Sequence, residues 1–176
     1  MQQRDRKEPW AIEGLPARGP DPGLKEKLTL FGQFVGDWDI LENRYLRDDG
    51  TWAKERGEIH WRWILEGRAT QDVWTSIDEK TGGRIPWGTT VRFYDQKIDA
   101  WRSTWISPRK GTVKAFIGKK VGREIVLEMK SDEEYLVKWI FSDVSKDSFR
   151  WRAEESRDEG KAWTLREEMK IRRRHE

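Results

Sequence analysis

A chain of 176 residues with no cysteine suits one domain that buries its own core, and it excludes disulfides, thiolate metal sites and cysteine nucleophiles. The 35 Lys+Arg nearly cancel the 32 Asp+Glu, so a net charge of +3 gives little reason to expect a polyanion partner. No apolar run approaches the ~18–20 residues of a membrane helix, and the charged start from Met1 to Glu8 does not read as a secretory signal; a soluble cytoplasmic protein is the expectation.

Residues 1–23 hold Pro9, Pro16, Pro20 and Pro22 with Gly14, Gly19 and Gly23, a density that predicts an extended arm. Trp10 and Ile12 are its candidate anchors, on the barrel or on a second subunit. Asp21-Pro22 then supplies an N-cap and a first helical position, and Leu24, Leu28, Phe31 and Phe34 recur at helical spacing. A short helix over about 22–34 follows. From Gly36 the period changes to two, with turn residues every eight to twelve positions at 48–50, 78–83, 95–97, 108–111, 119–122, 131–134, 145–147 and 157–160. No amphipathic helix separates these segments, which favours an antiparallel meander. The expected fold is all-β, a closed antiparallel barrel of eight to ten strands over residues 24–176.

Alternation assigns the faces. Ile125, Leu127 and Met129 oppose Glu124 and Glu128, and Phe149, Trp151 and Ala153 oppose Arg150, Arg152 and Glu154. With a hairpin turn at Glu66-Gly67, Trp63 pairs with Thr70, Trp61 with Asp72 and Ile59 with Trp74, and the Trp face points inward. His60 then points outward between Glu58 and Arg62, unless a one-residue bulge inverts it. Trp101, Ser103 and Trp105 share a face, set beside Thr89, Val91 and Phe93 on the preceding strand, while Trp163, Leu165, Glu167, Met169 and Ile171 share another.

Several of these stretches resemble a known group. Gly36-Asp37-Trp38 resembles the Gly-x-Trp that opens the first strand of calycins. Trp63-Ile64-Leu65-Glu66-Gly67-Arg68, Phe93-Tyr94-Asp95-Gln96-Lys97 with Ser103-Thr104-Trp105-Ile106, and Glu168-Met169-Lys170-Ile171-Arg172 resemble a bacterial lipocalin-like domain family of mostly unassigned function. The resemblance implies a barrel closed at one end by the short helix. It also implies a basic residue after the last strand, here Arg172 or Arg174, lying across Trp38.

The chain carries 12 Trp, each able to bury roughly 150–250 Å² and each bringing one N–H that needs a partner. The predicted interior holds Trp61, Trp63, Trp74, Trp101, Trp105, Trp139, Trp151 and Trp163, with Phe93, Thr70, Thr89 and Ser103. Two carboxylates, Asp72 and Glu167, fall among them. Such an interior either fills completely or holds one small molecule. In a cavity, burial would raise the pKa of an unpaired carboxylate, which makes Asp72 and Glu167 the acid/base candidates, with His60 if it turns inward. The functional expectation is a binder of a small hydrophobic or aromatic molecule, working without a cofactor, whose chemistry would be isomerase, cyclase, hydratase or lyase in type. A non-catalytic binding or self-association module is the alternative, and a homodimer is a further expectation. Nucleic-acid binding through Trp61-Arg62-Trp63 and Arg150-Trp151-Arg152 ranks third, because alternation separates their Arg and Trp. No metal site is expected from two distant histidines, His60 and His175, the second in a basic tail.

Overall fold

The structure is a computed structural model and describes residues 12–131 and 134–175. Asp21 caps a 3-10 turn at Pro22–Leu24, its carboxylate accepting from Gly23 N at 2.8 Å, and α1 (Lys25–Gly32) follows directly. Ten antiparallel strands come next: β1 (Gly36–Leu46), β2 (Trp52–Ile64), β3 (Ala69–Ile77), β4 (Arg84–Asp95), β5 (Ala100–Ser107), β6 (Thr112–Val121), β7 (Glu124–Lys130), β8 (Leu136–Ser142), β9 (Ser148–Ser156) and β10 (Thr164–Arg173). Each strand pairs with its successor, and β1 pairs with β10, so the sheet closes without a free edge.

The helix seals one end. Leu28 and Phe31 of α1, and Phe34 just after it, are fully buried against Trp61, Trp101, Phe141 and Phe149. Phe31 lies 4.9 Å from Trp101 and Phe34 lies 4.8 Å from Phe149, both edge-on, the arrangement that ring quadrupoles favour. Burying each of these side chains stabilises the fold by about 1.5–3 kcal/mol. Trp38 ties the helix exit to β1 by donating its indole N–H to the Phe34 carbonyl at 2.7 Å. The residue across Trp38 is Arg173, 4.0 Å from the ring centroid, rather than Arg172 or Arg174. Parity is the reason: Arg173 shares the inner face with Ile171 and is the register partner of Trp38, while Arg174 reaches Asp39 and Glu58. Gly36 permits this packing, since its φ of 138° suits glycine and a Cβ there would stand 2.5 Å from Arg173 Nη1.

The stretch before the helix runs along the β2–β3 turn. Pro16 bridges Ile64, Leu65 donates its N–H to the Leu15 carbonyl, and Asp21 donates to Gly67. Ile12 is exposed and pins nothing, and Trp10 lies outside the described residues.

Two face assignments differ from the sequence reading. On β4, Thr90 and Arg92 point inward and are buried, while Phe93 is 43% exposed and Thr89 accepts from Gln71 on the outer wall. The more apolar set, Val91 and Phe93, is therefore outside. Asp72 decides this parity by taking Arg92 as its partner, and a one-residue slip exchanges the faces of a whole strand. On β10 a bulge at Arg166 lies between Leu165, opposite Glu154, and Glu167, opposite Ala153. Glu167 keeps its inward place, whereas Leu165 and Trp163 turn out. Trp163 donates to the Gly160 carbonyl and sits under Lys138 Nζ, 4.1 Å from its ring.

Candidate functional site

The interior divides into a sealed half beneath α1 and an open half at the opposite end. Asp72 belongs to the sealed half. Its carboxylate is hydrogen-bonded by Arg92 Nη1, with side-chain exposures of 6% and 4% for the two residues. The guanidinium lies 4.3 Å from the Trp61 ring and 5.4 Å from Phe31, so it is sandwiched between the aromatic wall and the helix plug. Burial pushes the Asp72 pKa up, and the Arg92 charge and hydrogen bond oppose it. The hydrogen bond between the two buried side chains gives each its polar partner inside the core. Arg68, at the β2–β3 turn, binds Asp21 at 2.8 Å.

The open half is built by irregularities in adjacent strands. A bulge after Ile40 in β1 sends Leu41 outward and returns Asn43 to the interior, where it is fully buried. Glu167, in phase with Met169 and Ile171, lies on that same inner wall, and the β10 bulge at Arg166 turns only the residues before it outward. Asn43 Nδ2 then donates to Glu167 at 2.9 Å and to Glu55 of β2 at 3.1 Å, so one amide bridges two carboxylates. Burial raises both carboxylates above their ordinary range. For Glu167 the Asn43 bond and the charges of Lys110 and Lys114 oppose the rise, while Glu55 adds to it. Lys114 of β6 faces the same lumen: burial lowers its pKa, Glu155 and Glu167 raise it, and Lys110 and Arg166 lower it again.

An aromatic row completes this half. Trp74 lies 6.3 Å from Trp105, Trp105 lies 6.1 Å from Trp139, and Trp139 lies 5.3 Å from Trp151. Trp87 extends the row at the rim, stacked 6.1 Å from Trp74, with Lys110 above it. Gly88 leaves room for the Trp105 ring, which a Cβ there would meet at 2.6 Å. Buried side-chain atoms without a partner occur in both halves: the Trp74 indole N–H, Ser103 Oγ and Asn43 Oδ1 along this wall, and the Trp61 indole N–H, Thr70 Oγ1 and Arg92 Nε beneath the helix. Each costs about 1–3 kcal/mol unless something occupies the space beside it. A rim depression of about 270 Å³ lies beside the mouth between β9 and β10, lined by residues including Glu155, Arg157 and Arg166. A second depression, about 300 Å³, crosses the outer wall, where Glu42 and Arg152 are already paired with Lys170 and Glu124.

No family model matches the chain, and no curated protein matches it. Solved structures do. An S-type phycobiliprotein lyase, CPES, from Guillardia theta aligns over 86% of this chain and 97% of its own at 12% identity, with a TM-score of 0.55. Rv2717c from M. tuberculosis aligns over 89% and 99% at 10% identity, with a TM-score of 0.60. The fold is a lipocalin-like barrel.

Within this lipocalin-like barrel the residues singled out from sequence scatter. Trp74, Trp105, Trp139, Trp151 and Ser103 line the interior with Glu167. Trp61, Thr70 and Trp101 lie beneath the helix in the sealed half, and Trp63 packs its ring over Gly32 of α1, 2.7 Å from where a Cβ would stand. Thr89, Phe93 and Trp163 lie outside. His60 points outward, its Nδ1 2.8 Å from Asp37 and its Nε2 3.4 Å from the buried Glu58. His175 is placed, 3.2 Å from Asp147. Among the described residues no cluster of His, Asp and Glu is arranged to hold a metal ion, and no helix is long and apolar enough to cross a membrane. The sequence reading passed over Asn43, Glu55, Arg92 and Lys114. Glu55 and Lys114 were within its reach, because both alternate onto the inner faces of Trp61 and Phe116; Asn43 was hidden by its bulge.

Proposed function

We propose that this protein binds a small hydrophobic or aromatic molecule in the open half of the barrel, against Trp74, Trp105 and Trp139, with its polar edge toward Asn43, Glu167 and Lys114. The carrying observation is the convergence of the partly buried Trp74 and Trp105 rings with Asn43, Glu167 and Lys114 on one lumen, where Trp74 Nε1, Ser103 Oγ and Asn43 Oδ1 lack partners. A concave apolar wall with a few converging polar groups is the usual form of a small-molecule site. Where chemistry accompanies binding, Glu167 is the acid/base, and the reaction is a cofactor-independent isomerisation, cyclisation, hydration or elimination. Asp72, neutralised by Arg92, serves the fold. One structural neighbour being named a phycobiliprotein lyase is in keeping with a barrel that handles a small molecule.

The test is a titration of intrinsic Trp emission with a panel of small aromatic and terpenoid compounds, and separately with a short oligonucleotide at two salt concentrations. Saturable, salt-insensitive quenching by a small molecule is the expected result. A response confined to the oligonucleotide and fading with salt would refute the reading. In an enzyme, Glu167→Gln abolishes turnover; in a carrier it changes affinity modestly.

A second reading, self-association, has its own observation. Val73, Ile106 and Val113 lie on one exposed row of the outer wall, and Phe93 and Ile117 lie farther along the same wall on either side of Arg102, an apolar face suited to a second copy of this chain. Sedimentation of Phe93→Lys against the wild-type chain decides it.

A further inference from the structure

We propose that Lys114 takes carbonyl ligands covalently, its amine condensing with an aldehyde or ketone on an aromatic molecule held in the open half of the barrel. The inference rests on the binding reading above and adds the class of ligand. Lys114 is the register partner of Trp105 and alternates with Phe116 on the inner face of β6, so its amine lies beside the aromatic row. Among the described residues it forms no ion pair. Lys54, Lys138 and Lys170, by contrast, lie on the outer wall and are held by Glu42 or Glu128. Glu155 and Glu167 face Lys114 without pairing closely, and Lys110 and Arg166 crowd it with like charge. Burial and those two cations both favour the neutral amine, the form with the lone pair that attacks.

The step balances without a co-reactant. The Nζ lone pair forms the C–N bond while the carbonyl π pair moves to oxygen, which takes up a proton, giving a carbinolamine. Nitrogen loses its protons, the oxygen leaves as water, and an imine remains: one aldehyde and one amine give one imine and one water. Glu167 is placed to carry a proton from the nitrogen to the departing oxygen, as a general acid/base requires. Aromatic rings stacked on Trp105 and Trp139 would hold the carbonyl carbon near Nζ.

Cinnamaldehyde serves as the probe and cinnamyl alcohol as its non-reacting counterpart. The wild-type chain is incubated with cinnamaldehyde at neutral pH, reduced with cyanoborohydride and digested, and adducts are mapped by mass spectrometry. The alcohol is followed separately by Trp quenching. The expected result is an adduct at Lys114 in clear excess over any at the exposed Lys119 and Lys120, because the aromatic row holds the aldehyde beside its amine and burial favours the unprotonated form. Lys114→Arg removes that adduct, and Glu167→Gln slows its formation. Saturable binding of the alcohol with equal labelling of all lysines would overturn the covalent step and leave the binding reading intact. No response to the alcohol together with unselective labelling would overturn both.

Discussion

Replacing Asp72 by asparagine tests the division of the barrel into a sealed half and an open half. The substitution keeps volume and removes one charge, leaving the Arg92 guanidinium at 4% exposure between Trp61 and Phe31 with no anion beside it. Losing an ordinary hydrogen bond would cost about 0.5–1.5 kcal/mol. Leaving a buried charge uncompensated costs about 3–5 kcal/mol, and this second effect dominates because neither group reaches water. For a chain of this size such a loss lowers Tm by roughly 6–20 °C. Thermal and urea unfolding of Asp72→Asn, Arg92→Met and the double variant Asp72→Leu/Arg92→Met measure it. The double variant should recover much of the loss, since well-packed apolar pairs often replace buried ion pairs at little cost. Ligand quenching at the open end should persist in Asp72→Asn below its Tm. A Tm unchanged within a degree, or quenching lost from a folded Asp72→Asn, would refute the structural role given to this pair.

Glu167 has a pKa raised by burial, so the folded state holds its proton more tightly than the unfolded chain, and the residue's unfavourable contribution grows as pH rises from about 4.5 through the folded value. Glu167→Gln should therefore gain stability relative to the wild-type chain at neutral pH and match it near pH 4; parallel pH profiles would contradict this. Asp37 runs the other way: the Arg62 hydrogen bond holds its pKa at about 2, so its contribution is present above pH 3.8 and lost as pH falls toward 2, a loss that Asp37→Asn should not show in acid titration followed by circular dichroism. Gly88→Ala places a Cβ 2.3 Å from the Ile106 carbonyl and should destabilise by about 1–3 kcal/mol in urea unfolding. Arg173→Ala should cost about 1–3 kcal/mol by losing the Trp38 contact and the bonds to Val35 and Gln33 carbonyls, whereas Arg172→Ala should be near neutral.

Much of the barrel was legible because alternation and turn chemistry are local. The register of Trp61 with Asp72 followed from the position of Gly67, and the helix plug from the spacing of Leu28, Phe31 and Phe34. What escaped was non-local. Val91 and Phe93 outweigh Thr90 and Arg92 in apolarity, so period-two reading placed β4 with the wrong face inward; only the need of Asp72 for a cation reveals the true one. The bulges in β1 and β10 add single residues that no pattern announces. They seat Asn43 beside Glu167, and they expel Trp163. The candidate site was thus legible in part: its Trp row and Glu167 by alternation, its bridging amide not at all.

The central claim is that a small molecule occupies the open half of the lumen. The most direct measurement is the affinity of the best binder from the panel, by calorimetry, for the wild-type chain, Trp105→Ala and Phe93→Ala. Both side chains are large aromatics on neighbouring strands, one facing inward and one facing out. The account predicts that Trp105→Ala weakens binding about tenfold or more, given about 0.5–1.5 kcal/mol for a ring–ring contact plus the buried area lost, while Phe93→Ala leaves it unchanged. Binding that survives Trp105→Ala and falls in Phe93→Ala would place the ligand on the outer wall and contradict the account.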